Sequence, residues 1–180
     1  MTSSTPSDAL RYPAGRFEAP AAGDHSALAT AIDELEAMPA QLRATVESLS
    51  EEQLDTPYRP GGWTLRQVVH HLADSHLNAY VRTKLAVTED HPTIRPYDQD
   101  AWGDLPDAKG PVAPSLDLIE AVHTRWVALF RALDPDDFLR PFDHPEAGSS
   151  DIATLVSTYA WDGRHHMGHI GLVAGATAPA

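Results

Sequence analysis

The chain of 180 residues contains no cysteine. Disulfide bonds, thiolate metal ligands and a cysteine nucleophile are therefore excluded. Any metal ion that this protein binds must be held by histidine, aspartate or glutamate side chains.

Basic residues are scarce as well. The sequence has 13 Lys and Arg against 26 Asp and Glu, which gives a formal net charge of −13. Nucleic-acid binding depends on clusters of Lys and Arg, so we expect no nucleic-acid partner. No apolar run approaches the roughly 20 residues of a membrane-spanning helix, and no charged-then-apolar leader resembles a signal peptide. We therefore expect no membrane partner and a cytoplasmic location.

Four stretches repeat apolar residues at helical spacing. They predict helices over roughly 24–49, from Thr64, from Ser115 and from near Thr154. With no convincing strand and a length suited to one domain, this pattern predicts an all-α four-helix bundle over residues 24–180. Residues 1–23 show no periodicity and are predicted to be an extended arm, partly disordered at its start.

Local signals mark where these helices begin and bend. Thr64 and Gln67 form a capping box for the second helix, and Ser115 is the predicted cap of the third. Pro39 predicts a kink or a division of the first helix at Met38, because proline removes a helical hydrogen bond.

Residues 88–114 have no helical pattern and contain five prolines. A connection this long in a small domain is uncommon and is often functional. Its large aromatic residues favour an ordered loop, which we expect to cover the functional site. Residues 138–150 are predicted to be a second loop.

The chemistry is concentrated in His165-His166-Met167-Gly168-His169. His165 and His169 are four residues apart, so both imidazoles lie on one face of a helix. One more histidine from a facing helix would complete three nitrogen ligands and leave a coordination position open. The second helix offers His70, His71 and His76.

A helical projection of residues 155–173 adds a second observation. Asp162, His166 and His169 lie on the same stripe as Leu155, with His165 at its edge. Buried imidazoles and a carboxylate need partners, since each unsatisfied group costs about 1–3 kcal/mol. Hydrogen-bonded structural histidines are the alternative interpretation. The surrounding apolar stripe and the second histidine-rich helix favour a divalent cation.

Several segments resemble the DinB/YfiT-like proteins, in particular the branch of proposed metal-dependent hydrolases. The matching segments are 12–13, 53–59, 61–64, 66–76, 94–98 and 165–170. The resemblance implies a four-helix bundle with one divalent ion per chain, zinc or nickel, held by His71, His165 and His169. It also implies a homodimer. This chain departs from the family at Asp162-Gly163-Arg164, where relatives can carry further histidines.

The same resemblance leaves the reaction open. Members related to this branch transfer low-molecular-weight thiols such as bacillithiol, and a cation with an open position can activate a thiol or a water molecule. We therefore expect a small-molecule substrate and weigh three hypotheses: thiol S-transferase, metal-dependent hydrolase and non-enzymatic binding bundle. Thiol transfer is the first choice.

No general acid or base is assigned from the sequence. Asp162 and Asp74 are candidates, although a carboxylate so close to a ligand more often orients it. Tyr97, Asp98 and Trp102 are candidates for substrate contact from the 88–114 loop.

Overall fold

The computed structural model describes residues 6–21 and 23–175. The predicted disorder at the start of the arm and the last residues of the 24–180 domain lie outside those ranges. The helices are α1 Pro6–Arg11, α2 His25–Val46, α3 Glu51–Leu54, α4 Leu65–Thr88, α5 Gln99–Gly103, α6 Ala113–Ala132 and α7 Ile152–Ala174. Two strands, β1 Pro141–His144 and β2 Gly148–Asp151, and two 3₁₀ turns, Pro106–Lys109 and Pro135–Leu139, complete the described part.

The four long helices α2, α4, α6 and α7 form the bundle, which confirms the predicted fold. Helices α4 and α2 each pack against both α6 and α7. Helix α2 is therefore diagonal to α4, and α6 is diagonal to α7. This arrangement places α4 and α7, which carry most of the histidines, side by side. No helix in the described ranges is both long enough and apolar enough to span a bilayer.

The start of α4 is the predicted one, whereas the start of α6 is not. Thr64 and Gln67 form the expected capping box. Helix α6 begins two residues before Ser115, after Val112, so the prediction of Ser115 as its cap was wrong. The Ser115 hydroxyl lies 2.7 Å from Nδ1 of His70 instead. His70 therefore points toward α6 and away from the other histidines of α4 and α7.

Helix α2 continues through Pro39 and is not divided at Met38. The proline lacks the N–H that would bond the Leu35 carbonyl. That carbonyl lies 2.6 Å from Nδ1 of the buried His123 of α6. A side chain thus replaces the missing helical bond.

The two predicted loops contain regular structure. Strands β1 and β2 form an antiparallel hairpin within 138–150, so the expectation of no strand was wrong. The strands are only four residues long and lack a period-two apolar pattern, which explains why the sequence did not indicate them. Within 88–114, helix α5 is present, and the backbone N–H of Ile94 bonds the Asp143 carbonyl at 2.9 Å. This bond fixes the loop against the hairpin, in keeping with the prediction that residues 88–114 form an ordered loop.

Two glycines of α7 provide a matched test of packing between the arm and the bundle. A Cβ at Gly168 would lie 2.8 Å from Cγ of Pro13, whereas a Cβ at Gly171 would meet nothing within 4 Å. We expect Gly171→Ala to raise the free energy of unfolding by about 0.5–1 kcal/mol through helix propensity. We expect Gly168→Ala to lose that gain and to make the arm easier to cleave near Pro13.

Chemical denaturation and limited proteolysis of both variants would measure these effects. Equal stability and equal cleavage of the two variants would contradict the contact between Pro13 and α7.

Candidate metal centre

A cavity of about 440 Å³ opens where α4 and α7 meet the arm. Polar and aromatic side chains from five parts of the chain line it. They are Arg11, Tyr12, Tyr58, Arg59, Trp63, His71, Gln99, Asp100, Trp161, Asp162, His165, His166 and His169, with Gly61 and Gly62. Gln99 and Asp100 belong to α5, so the 88–114 segment does contribute to the wall of this cavity.

Three side chains in the cavity converge as metal ligands do. His71 of α4 and Asp162 and His166 of α7 each offer one atom, and these atoms all lie within 4.8 Å of one another. Asp162 and His166 are four residues apart, so they lie on one face of α7. The two histidines are 8% exposed and the Asp162 side chain is 17% exposed. Within residues 6–21 and 23–175, these are the side chains whose possible ligand atoms converge this closely.

The hydrogen bonds of His166 determine which of its nitrogens is free. Nε2 of His169 lies 3.3 Å from the Arg11 carbonyl, which can only accept, so His169 donates there. A neutral His169 then has a bare Nδ1, and this atom lies 3.4 Å from Nδ1 of His166. His166 therefore donates from Nδ1 and keeps an unprotonated Nε2.

That free nitrogen faces a second acceptor. Nε2 of His166 lies 3.5 Å from Oδ1 of Asp162. Two lone pairs at this separation need a proton or a cation between them. Ligand atoms around a tetrahedral ion with bonds of about 2.0–2.2 Å lie about 3.4 Å apart. Because His71 converges on the same point, a divalent cation satisfies all three groups at once, and the residues present fit such an ion.

The electrostatics of the cluster agree with a cation site. Burial, followed by the nearby His166, lowers the pKa of His71 to about 3, so the ring is neutral at neutral pH, as a metal ligand must be. Burial pushes the pKa of Asp162 upward. The imidazoles of His166 and His76, which face its two oxygens, outweigh burial and hold that pKa well below its usual value. Asp162 is therefore ionised, as a ligand must be.

The structure places the three predicted ligands in one cavity but in different surroundings. His71 belongs to the convergent group. The ring of His165 stacks on Trp161 at a centroid distance of 4.7 Å. His169 stacks on Tyr58 at 3.9 Å, and its Nε2 is engaged by the arm. The predicted ligand set of His71, His165 and His169 stays a prediction. The geometry instead brings His71 together with Asp162 and His166.

The remaining sequence candidates lie nearby. Tyr97 and Asp98 line a neighbouring cavity of about 590 Å³, together with Ser75 and Arg82 of α4. Trp102 packs on Tyr97 at a centroid distance of 4.5 Å. Asp74 is half-buried, and burial, followed by the charge of Asp107, raises its pKa. It is not part of the lining of the metal cavity.

Sequence reasoning assigned no ligand role to His166 and gave Asp162 a supporting one. A signal for both was present, because the helical projection put them on the core-facing stripe with His165 at its edge. The four-residue spacing of His165 and His169 favoured that pair instead, and the resemblance agreed with it.

Comparisons with known proteins agree with this fold. A sequence model of the DinB superfamily matches residues 34–170. A proposed metal-dependent hydrolase of Oceanobacillus iheyensis is 51% identical over 160 residues, which cover 89% of this chain and 93% of that protein. A Bacillus cereus protein named in the same way is 48% identical over 161 residues, with the same coverage.

A solved structure shows the same architecture. YfiT from Bacillus subtilis, described as a probable metal-dependent hydrolase with an unusual four-helix bundle topology, superposes with a TM-score of 0.90 at 43% identity. The match covers 93% of this chain and 97% of YfiT. Together with the bundle, these matches show that the chain belongs to the DinB superfamily.

Proposed function

We propose that this protein is a metal-dependent hydrolase whose divalent cation is held by His71, Asp162 and His166. The observation that carries the proposal is the convergence of three ligand atoms within 4.8 Å, with lone pairs facing each other. The names of its relatives support the same class of reaction. The small-molecule partner and the homodimer stay predictions.

The donor set favours hydrolysis over the thiol transfer that was first choice from the sequence. That choice came from the family resemblance, and three nitrogen ligands, which leave the full charge on the ion, were compatible with it. Two histidines and one carboxylate with an open position form the donor set of hydrolytic zinc enzymes. Zinc is therefore the first candidate, and nickel, which imidazoles also suit, is the second. A bound divalent cation would act as a Lewis acid that makes a nucleophile available at neutral pH.

The surrounding side chains are suited to substrate binding. Tyr58, Trp63 and Trp161 form an aromatic wall and pack directly on the histidine rings, at centroid distances between 3.9 and 4.7 Å. Such a wall excludes water and holds an apolar group. Arg11 and Arg59 also line the cavity and provide positive charge for an anionic group. The substrate that fits is a small molecule that carries both an apolar group and an anionic group.

Thiol transfer is retained as the second candidate because of those arginines. A cavity of about 440 Å³ with two guanidinium groups has room for a small acidic thiol such as bacillithiol beside an electrophile. The protein has no cysteine that would compete with such a thiol for the cation.

One assay distinguishes the two reactions. Zinc-loaded protein is supplied with a chromogenic ester, with and without bacillithiol, and His71→Ala serves as the control. We expect turnover of the ester without any thiol, reduced at least about 100-fold in the variant and by chelation. Turnover that requires the thiol would overturn hydrolysis in favour of transfer. Equal rates in both proteins would contradict a metal-dependent enzyme.

A further inference from the structure

Arg82 of α4 is a half-buried arginine that has no acidic partner among the residues that the structure describes. Other arginines of this acidic chain pair with Asp or Glu side chains, as Arg43, Arg66 and Arg131 do. Nη1 of Arg82 instead donates to the Tyr159 hydroxyl at 3.3 Å, and Nη2 donates to the Arg95 carbonyl at 3.1 Å. Both acceptors are neutral, so the positive charge of Arg82 is not balanced by a direct contact.

The guanidinium group also has hydrogens to spare. Within residues 6–21 and 23–175, Nε of Arg82 is buried and has no hydrogen-bond partner. Folded proteins rarely leave a buried donor unpaired, and a donor on a charged group is the costlier case. The hydrogen bonds to Tyr159 and Arg95 hold the group in a fixed orientation. A negatively charged group of a ligand would complete this site, since a guanidinium can donate several bonds to a carboxylate.

Arg82 lines the cavity of about 590 Å³ that also contains Tyr97, a sequence candidate for substrate contact. Ser75 and Tyr159 line the same cavity, and Ser75 is 7% exposed. Burial raises the pKa of Tyr97 to about 12 and also raises the pKa of Tyr159, so both hydroxyls keep their hydrogens at neutral pH. The guanidinium and these hydroxyls make the buried side of the cavity rich in hydrogen-bond donors.

The opening of this cavity has the opposite charge. Asp98 and Glu146 are lining residues, and both are exposed. His144 also lines the cavity but adds no charge, because its Nδ1 accepts the backbone N–H groups of Glu146 and Ala147, each at 3.2 Å. The hydrogen of His144 is therefore on Nε2. A ligand that matches both sides of the cavity has a carboxylate at one end and an ammonium group at the other.

We propose that this cavity binds a small amino carboxylate, with its carboxylate on Arg82 and its ammonium group near Asp98 and Glu146. A doubly charged anion such as phosphate fits less well, because the two exposed carboxylates repel it. The site is separate from the metal centre but adjacent to it, since Gln99 lines both cavities. The inference goes beyond the proposed hydrolysis and does not depend on a bound ion.

Titration of the full-length protein with β-alanine, 4-aminobutyrate and 5-aminovalerate varies the distance between the two charged groups of the ligand. Arg82→Gln removes the charge from the cavity. Arg95→Gln is the matched control, because Arg95 is exposed and its backbone carbonyl, which accepts from Arg82, stays in place. We expect at least one ligand to bind wild type and Arg95→Gln equally well and to bind Arg82→Gln at least about 10-fold more weakly. Calorimetry gives the affinities, and thermal unfolding shows whether the variants fold alike.

¹H–¹⁵N spectra of the arginine Nε–H groups provide a measurement on the wild type alone. The signal of Arg82, assigned through its own side chain, should shift as the ligand is added. Butyrate, which lacks the ammonium group, should bind more weakly than the best amino carboxylate, and equal affinity would overturn the role of Asp98 and Glu146. Equal affinity in wild type and Arg82→Gln, no shift with any ligand, or a shift of Arg59 in place of Arg82 would overturn the site.

Discussion

Asp162→Asn should abolish stoichiometric metal binding, whereas His165→Gln should leave it nearly intact. Asn has the shape of Asp but not its charge, so the substitution removes a ligand with little effect on packing. Loss of an orienting partner already costs about 10–100-fold in metal affinity, and loss of a ligand should exceed about 100-fold. His165 lies in the same cavity but outside the convergent group, which makes it the matched control.

Metal analysis of protein purified in parallel, followed by zinc titration, measures this difference. His166→Gln should behave like Asp162→Asn. The opposite result, with metal lost in His165→Gln and retained in Asp162→Asn, would restore the set of His71, His165 and His169. Metal retained in all three variants would contradict both sets.

The bound ion should also stabilise the fold. A ligand that binds only the native state at 100 times its dissociation constant adds about 2.7 kcal/mol to the free energy of unfolding. For a chain of this length, that gain raises the midpoint of thermal unfolding by roughly 5–10 °C. The cluster joins α4 to α7, so the ion acts as a link between two neighbouring helices of the bundle.

Thermal unfolding followed by circular dichroism, with zinc and with excess chelator, tests this expectation. His165→Gln should show the full gain and Asp162→Asn little or none. An unchanged melting curve for zinc-loaded wild type after chelation would show that no ion links the helices. A gain in Asp162→Asn as large as in wild type would place the ion elsewhere.

Much of the fold followed from local sequence signals. The apolar stripes indicated four helices, and the capping box at Thr64 gave the start of α4, because both depend on neighbours within one or two turns. The prediction of Ser115 as a cap was wrong for the same reason. Its hydroxyl has a choice of partners, and only the packing of α6 on α4 supplies His70 as the better one.

The site could be predicted as a region but not as a set of ligands. The sequence predicted a metal on the histidine-rich faces of the second and last long helices, and His71, the ligand that the resemblance implied on the second, belongs to the convergent group. The choice among the side chains of α7 depends on which nitrogens are already engaged. This engagement depends on the arm, since the Arg11 carbonyl accepts a hydrogen bond from Nε2 of His169.

The sequence by itself determined that the protein is an acidic, cysteine-free helical bundle with histidine-rich faces on two of its long helices. Those properties are set by composition and by the helical period. Only the tertiary structure decided that α4 is diagonal to α2, that the Leu35 carbonyl on α2 meets Nδ1 of His123 on α6, and that Asp162 faces His166 and His76. The residues that meet across the bundle are far apart in the chain, as with Leu35 and His123, which are 88 positions apart. A hydrogen bond also has a direction that only the folded chain defines.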